Sequence, residues 1–239
     1  LPIYTILAGI DDVPAPTSAE QDLQKQIKGE AYFLRAFEYA MILMNYGGAV
    51  IATEPFVLGG EFLTIKRSTL QETLDQVLSD INDALANLPA KMEQGRATRG
   101  AAAALKSRVL LFCASNLVNG GYEPTKTLVS FGTSGQAARW AAARDAAKAV
   151  MDGTYGTYSL VGSVAEPPSG GYSAAEVQSI AETYFGIFNQ KGTWNSETIW
   201  GIQFPLTGGN QNRANIWFGP CGYHNWGNNN PTEPAVRQY

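Results

Sequence analysis

The residues best suited to chemistry lie late in the chain. Pro205 to Pro234 reads PLTGGNQNRANIWFGPCGYHNWGNNNPTEP, a long loop with seven asparagines, and a loop of this length in a compact domain is usually functional. Four of the five tryptophans fall after residue 193, at Trp194, Trp200, Trp217 and Trp226. Sugar rings present C–H faces that stack on aromatic side chains, while amides and guanidinium groups hydrogen-bond the hydroxyls. Trp217, Tyr223, His224, Trp226, Asn228 and Asn229, with Arg213 nearby, are that mixture. The competing reading is that these rings plug the loop onto the body of the protein, since large loops carry internal anchors. For Trp217 taken alone, burial is the stronger reading, because tryptophan is highly buried on average. Trp226 stands in His-Asn-Trp-Gly-Asn-Asn-Asn with no apolar neighbour, so both readings stay open there.

Other chemistries lack their parts. Glycoside hydrolysis needs two carboxylates flanking the scissile bond. After Glu197 the only acid is Glu233, and no aspartate follows Asp152. His224 is the only histidine, which argues against a histidine metal cluster or a zinc-protease motif. No glycine-rich dinucleotide fingerprint or phosphate loop is present, so no cofactor and no metal are expected. A net charge of -4 argues mildly against nucleic acid as a partner.

Positioning such a loop falls to helices. From Gly29 to Pro55, Phe33, Phe37, Ala40 and Met44 recur at helical spacing. Leu34, Ala36, Met41 and Leu43 widen the stripe until Arg35, Glu38 and Asn45 remain as a thin polar edge. Such a helix is buried on most sides, and it is too broken by charge to span a membrane. It is expected to start near Ser18 or Ala19 and to stop at Gly47-Gly48, with an extended exit to Pro55. Residues 1–19 read as a short apolar segment and a loop, and 55–67 as a connector.

Thr69 and Glu72 then form a capping box ahead of a helix with Leu70, Leu74, Val77, Leu78, Ile81, Leu85 and Leu88 on one face. That helix carries Glu72, Asp75, Asp80 and Asp83 and no base. The next, from about Thr98 to Asn116, carries Arg99, Lys106 and Arg108 and no acid. The pattern predicts either an antiparallel pair matching charge along its flanks or two separately solvated faces; exposed pairs add only about 0–1 kcal/mol each. Leu105, Val109 and Phe112 form the second helix's core stripe, with Cys113 a small core residue beside them. Cys221 lies in the long loop, and pairing with Cys113 stays open. A loop from Gly120 to Gly135 precedes an alanine-rich helix from Gln136 to Met151, in which Trp140 is the large residue to be accommodated.

After Gly153 the texture changes to glycine, serine and proline. A weak helical stretch near Ala174 to Glu182, an aromatic segment from Thr183 to Asn189 and a strand from Glu197 to Phe204, with Trp200 core-facing, are expected. The class is mainly α, with helix pairs resembling tetratricopeptide units (TPR) but no clean repeat of about 34 residues. The expected organisation is a scaffold over 1–153 and a loop-rich, irregular, ligand-binding region over 154–239 carrying short strands.

Two segments carry a family resemblance. GEAYFLRAFEYAMILMNYGGAVIATEP, Gly29 to Pro55, resembles the hallmark of the SusD/RagB family, and RATRGAAAALKSRVLLFCAS, Arg96 to Ser115, is similar to its RAT-x-GAA helix. Weaker matches are Arg139 to Gly153, Glu197 to Phe204 and Asn230 to Tyr239, in the family's order. The resemblance implies an irregular TPR-like superhelix in a lipoprotein of the bacterial outer membrane. It implies binding of a nutrient, usually a glycan, on the extracellular face, and a SusC-like TonB-dependent transporter as partner, without catalysis. The alternative is a TPR-type module binding peptides; a helical carbohydrate-active enzyme is a weaker third. The chain opens LPIYTILAG, without a lipid-attachment cysteine, and reads as an interior piece of a longer protein whose N-terminal lipid anchor lies outside it.

Overall fold

The computed structural model describes residues 2–54, 64–162, 171–189 and 194–202. The chain divides into two compact units, Leu1–Gly201 and Ile202–Tyr239, and the six α-helices among the described residues belong to the first. They are α1 (Pro2–Gly9), α2 (Ser18–Tyr46), α3 (Leu70–Asn87), α4 (Arg99–Ala114), α5 (Gln136–Met151) and α6 (Ala174–Asn189). None of these is both long and apolar enough to cross a membrane.

Helix α2 starts where a second capping box stands: the Thr17 hydroxyl accepts from Glu20 N–H, and Thr17 N–H donates to the Glu20 carboxylate (2.9 Å). The Thr-x-x-Glu spacing was there to be read. Residues 2–9, read as a short apolar segment, form a helix, because α1 packs on α2, which supplies the support a two-turn helix lacks alone.

Helices α2 and α3 run antiparallel. Gly29 lies beside Leu88, Arg35 beside Asp80, and Thr73 Oγ1 accepts from Ala49 N–H (2.9 Å) beyond the end of α2. Their shared core holds Phe33, Ala36, Tyr39, Ala40 and Leu43 against Leu70, Leu74, Val77, Ile81 and Leu88. Two expectations need correction here. Arg35, assigned to a polar edge, is buried, and Leu34 and Met41, assigned to the buried face, are exposed. The buried face is rotated toward Arg35 because α3 supplies Asp80, which makes a buried guanidinium tolerable.

The α2 stop also fixes the next segment. Gly47 has φ 82°, and a Cβ on Gly47 or Gly48 would overlap the carbonyl oxygens of Leu128 and Ser68 respectively. This approach lets Gly48 N–H donate to Leu128 O (2.7 Å) and Ser68 N–H to Ala49 O (2.7 Å). The Gly-Gly pair thus serves both as a helix stop and as a seat for two passing strands of backbone.

Helix α3 begins with the predicted Thr69–Glu72 capping box and ends at Leu88. It is antiparallel to α4, with Lys106 Nζ donating to Asn82 Oδ1 (3.0 Å) and Arg99 Nε to Leu88 O (2.7 Å). Charge matching does not follow: among the described residues no ion pair joins α3 to α4, and the acid of α3 that pairs, Asp80, meets α2. Helix α4 packs its alanines closely, and α5 lies along it with Leu110, Ala114 and Ala143 buried together. Trp140, which packing was expected to accommodate, is 46% exposed. Cys113 is a free, fully buried thiol pushed up to about 12 by burial; Cys221 lies outside the described residues. Successive antiparallel helix pairs make the expected mainly-α, TPR-like arrangement.

Helix α6 is longer than the weak stretch expected, taking in the aromatic segment and leaving Tyr184, Phe185 and Phe188 exposed. Residues 197–202 have no strand among them, and residues 203–204 lie outside the described residues. Alternation alone makes no strand without a ladder partner. Trp200 nevertheless packs on the core as expected, with ring centroids 5.1 Å from Phe33 and 5.3 Å from Phe37.

Candidate functional site

The platform residues named from the sequence, Arg213, Trp217, Tyr223, His224, Trp226, Asn228 and Asn229, all lie outside the described residues. The first unit has its own site-like concavity, which sequence reasoning missed. It is a groove of about 550 Å³, within the roughly 300–1,000 Å³ range of small-ligand sites.

Three segments build it. One is the α3–α4 connector, whose Arg99 N–H donates to Pro89 O (3.0 Å) and whose Arg96 N–H donates to Glu93 O (3.1 Å). Its far side is pinned to the core by Trp200, whose indole N–H donates to Gly95 O (3.2 Å). The second is the turn after α5, closed by Gly153 N–H on Val150 O (3.1 Å). The third runs from Trp194 to Ile199 and is organised by Asn195. Its Oδ1 accepts from Glu197 N–H (3.0 Å) and Thr198 Oγ1 (3.2 Å), while its Nδ2 donates to Ile187 O (3.3 Å). Ser159 N–H, donating to Ser196 O (3.1 Å), ties the second segment to the third.

The lining combines rings and polar groups. Tyr155, Tyr158 and Trp194 are half-buried, so each presents part of a ring to the groove. Threonine hydroxyls, Lys91 and Arg99 supply donors, and Arg96 forms part of the wall. Arg96 is held in place by a two-bond pair with Glu30 (2.8 and 2.6 Å), which raises its pKa. This is the residue mixture sought in the long loop, assembled from positions about 40 to 100 residues apart. Of these residues, the sequence had marked Trp194 among the late tryptophans, and Arg96 and Arg99 inside the motif around Arg96 to Ser115.

Gly100 explains how Tyr158 reaches its place. The Tyr158 hydroxyl rests on the first turn of α4 so closely that a Cβ at Gly100 would fall inside the phenol. A phenol end cannot shift a few tenths of an ångström to clear such an overlap. Gly100→Ala therefore displaces Tyr158 and remodels the groove; in the folded protein, tyrosine fluorescence quenching by added acrylamide should rise. Unchanged quenching would show that Tyr158 does not depend on this seat. The stability loss should be modest, since alanine itself favours helix by about 1 kcal/mol over glycine and offsets part of the repacking cost.

Comparison with known proteins follows the same helices. Residues 2–111 match the SusD-like_3 family model, described as starch-binding associating with outer membrane. The SusD-like protein P25 of Formosa agariphila is 24% identical over 205 residues, covering 84% of this chain and 30% of that protein. Among solved structures, a SusD-like protein from Bacteroides fragilis has a TM-score of 0.58 at 24% identity, covering 84% of this chain and 32% of its own. A SusD superfamily protein from Bacteroides thetaiotaomicron has a TM-score of 0.57 at 22% identity, covering 85% and 37%. The chain spans roughly a third of the length of these relatives. The two motif segments stand as α2 and α4, and the match to the SusD-like_3 family model, over residues 2–111, runs across most of both helices.

Proposed function

We propose that the protein binds an oligosaccharide or glycan at the bacterial cell surface and delivers it to a partner TonB-dependent, SusC-like transporter, without acting on it chemically. The observation that carries this reading is the match of residues 2–111 to a family described as starch-binding and outer-membrane-associated. Attachment by a lipid to the extracellular face of the outer membrane follows from the same reading. The aromatic–amide composition of Pro205–Pro234 and the aromatic groove of the first unit are both suited to stacking on sugar rings.

In the loop, Trp226 is the residue to test. A glycan and peptide array on the intact protein should capture glycans. Trp226→Ala should then weaken the captured glycan by about 1–3 kcal/mol, by analogy with aromatic stacking on flat ligands, with little change in melting temperature. A large loss of stability with unchanged affinity would make Trp226 a loop anchor. Capture of peptides in place of glycans would favour the peptide-binding alternative. Purification from outer membranes in mild detergent should bring down a large β-barrel partner, and recovery of the protein alone from the cytoplasm would overturn both partner and location.

A further inference from the structure

We propose that the groove between the α3–α4 connector and the turn after α5 takes the acidic group of a charged sugar, a carboxylate or a sulfate, with the ring stacked on Tyr155, Tyr158 or Trp194. This rests on the carbohydrate-binding reading above and names the ligand class of the groove in the first unit.

Charge distribution carries the inference. The protein has a net charge of -4, yet the groove is lined by Lys91, Arg96 and Arg99 against one acid, Glu93. Arg96 is neutralised by Glu30, and its rigid two-bond pair makes it a wall rather than a ligand hook. Glu93 contributes to the field at Arg96. Lys91 and Arg99 have no carboxylate partner among the described residues. Arg99 is nonetheless oriented, because its Nε donates to Leu88 O (2.7 Å) at the end of α3, which points the guanidinium along a fixed line. An oriented guanidinium beside a lysine suits an oxyanion, for which it can offer two parallel donors.

Ring and cation also sit together for a structural reason. Arg99 and Gly100 are consecutive in the first turn of α4, and Tyr158 rests on Gly100. A sugar stacked on Tyr158 would therefore hold a ring substituent near Arg99. A neutral sugar would leave both unpaired cations without a counter-charge, whereas a uronate or sulfated sugar satisfies them. Because both cations are solvent-exposed, the attraction should be salt-sensitive.

The test is calorimetric titration of the intact protein with a neutral galactan oligosaccharide, a galacturonate oligosaccharide and a sulfated galactan oligosaccharide of equal length, at low and moderate salt. One acidic ligand should bind about tenfold more tightly than the neutral one and lose affinity with salt, and which of the two does so separates carboxylate from sulfate. Lys91→Gln should weaken that binding about tenfold, in line with one charged hydrogen bond. Arg99→Lys, which keeps the charge and loses the fork, should weaken it less than Lys91→Gln combined with Arg99→Lys. The idea is overturned if the double variant, melting as the parent does, keeps its acidic-ligand affinity. Inorganic sulfate binding as tightly as the sulfated oligosaccharide would also overturn it, since the rings would then play no part. Binding of neutral glycans alone sinks this inference and leaves the carbohydrate reading standing, whereas capture of no glycan on an array sinks both.

Discussion

Asp80→Ala destabilises the protein by about 3–5 kcal/mol, because it strands a buried guanidinium. Arg35 reaches Asp80 through two hydrogen bonds, Nε to Oδ2 (2.8 Å) and Nη2 to Oδ1 (2.6 Å), and the two side chains are 10% and 1% exposed. Gln76 Nε2 also donates to Asp80 Oδ1 (3.0 Å), so the carboxylate is the centre of a small network between α2 and α3. Tyr32 lies against the guanidinium at 5.6 Å from ring centroid to Cζ, and Tyr4 at 6.0 Å. The same enclosure pushes the Tyr4 phenol up to about 12, first by burial and then by its hydrogen bond with Tyr39. Removing the acid leaves Arg35 without a partner in a site water barely reaches. Urea unfolding followed by circular dichroism measures the loss. The companion variant Arg35→Met/Asp80→Leu should recover most of it, since an apolar replacement of both partners abolishes the stranded charge. A double variant as unstable as Asp80→Ala would mean that the pair contributes more than mutual neutralisation.

Phe33→Ala is expected to cost a similar amount, about 3–5 kcal/mol, as a large-to-small change in a packed core. Phe33 is 1% exposed and touches both layers: Phe37 on its own helix, at 6.4 Å between ring centroids, and Trp200 edge-on at 5.1 Å. Trp200 in turn holds Gly95 O, so the loss should spread to the α3–α4 connector. Phe37→Ala should cost less, because Phe37 is half-buried and its removal opens toward solvent rather than leaving a closed cavity. Equal midpoints for the two variants would show that burial of these rings does not rank their contributions. Backbone amide exchange at Gly95 and Arg96 offers an independent readout, and should rise selectively in Phe33→Ala if the Trp200 link transmits the defect.

Helix by helix, the legible features were those set within one or two turns of chain. The Thr69–Glu72 box, the stop at Gly47-Gly48 and the bounds of Gln136–Met151 appear as read, because capping and glycine conformation depend on neighbours a few residues away. The Thr17–Glu20 box obeyed the same rule and could have been read. The core stripe of α4, Leu105 and Val109, was legible because burial there follows helical period. The motif around Arg96 to Ser115 marked the helix α4, yet its Gly100 revealed its purpose only when Tyr158 was seen against it.

By itself, then, the sequence determined the mainly-α class, the resemblance carried by two linear motifs, most helix bounds and the residue types suited to sugars, since each depends on composition, local spacing or a linear motif. Tertiary structure alone decided that Arg35 is buried and Leu34 exposed, because the partner that neutralises Arg35 lies 45 residues away on α3. It also decided that α1 is helical, that Glu197–Ile202 makes no strand, and that Lys91, Arg99, Tyr158 and Trp194 line one groove. The physical reason is common to all four. Burial, pairing and concavity are properties of surfaces that meet in space, and a periodicity along one element is silent about which surface will meet it.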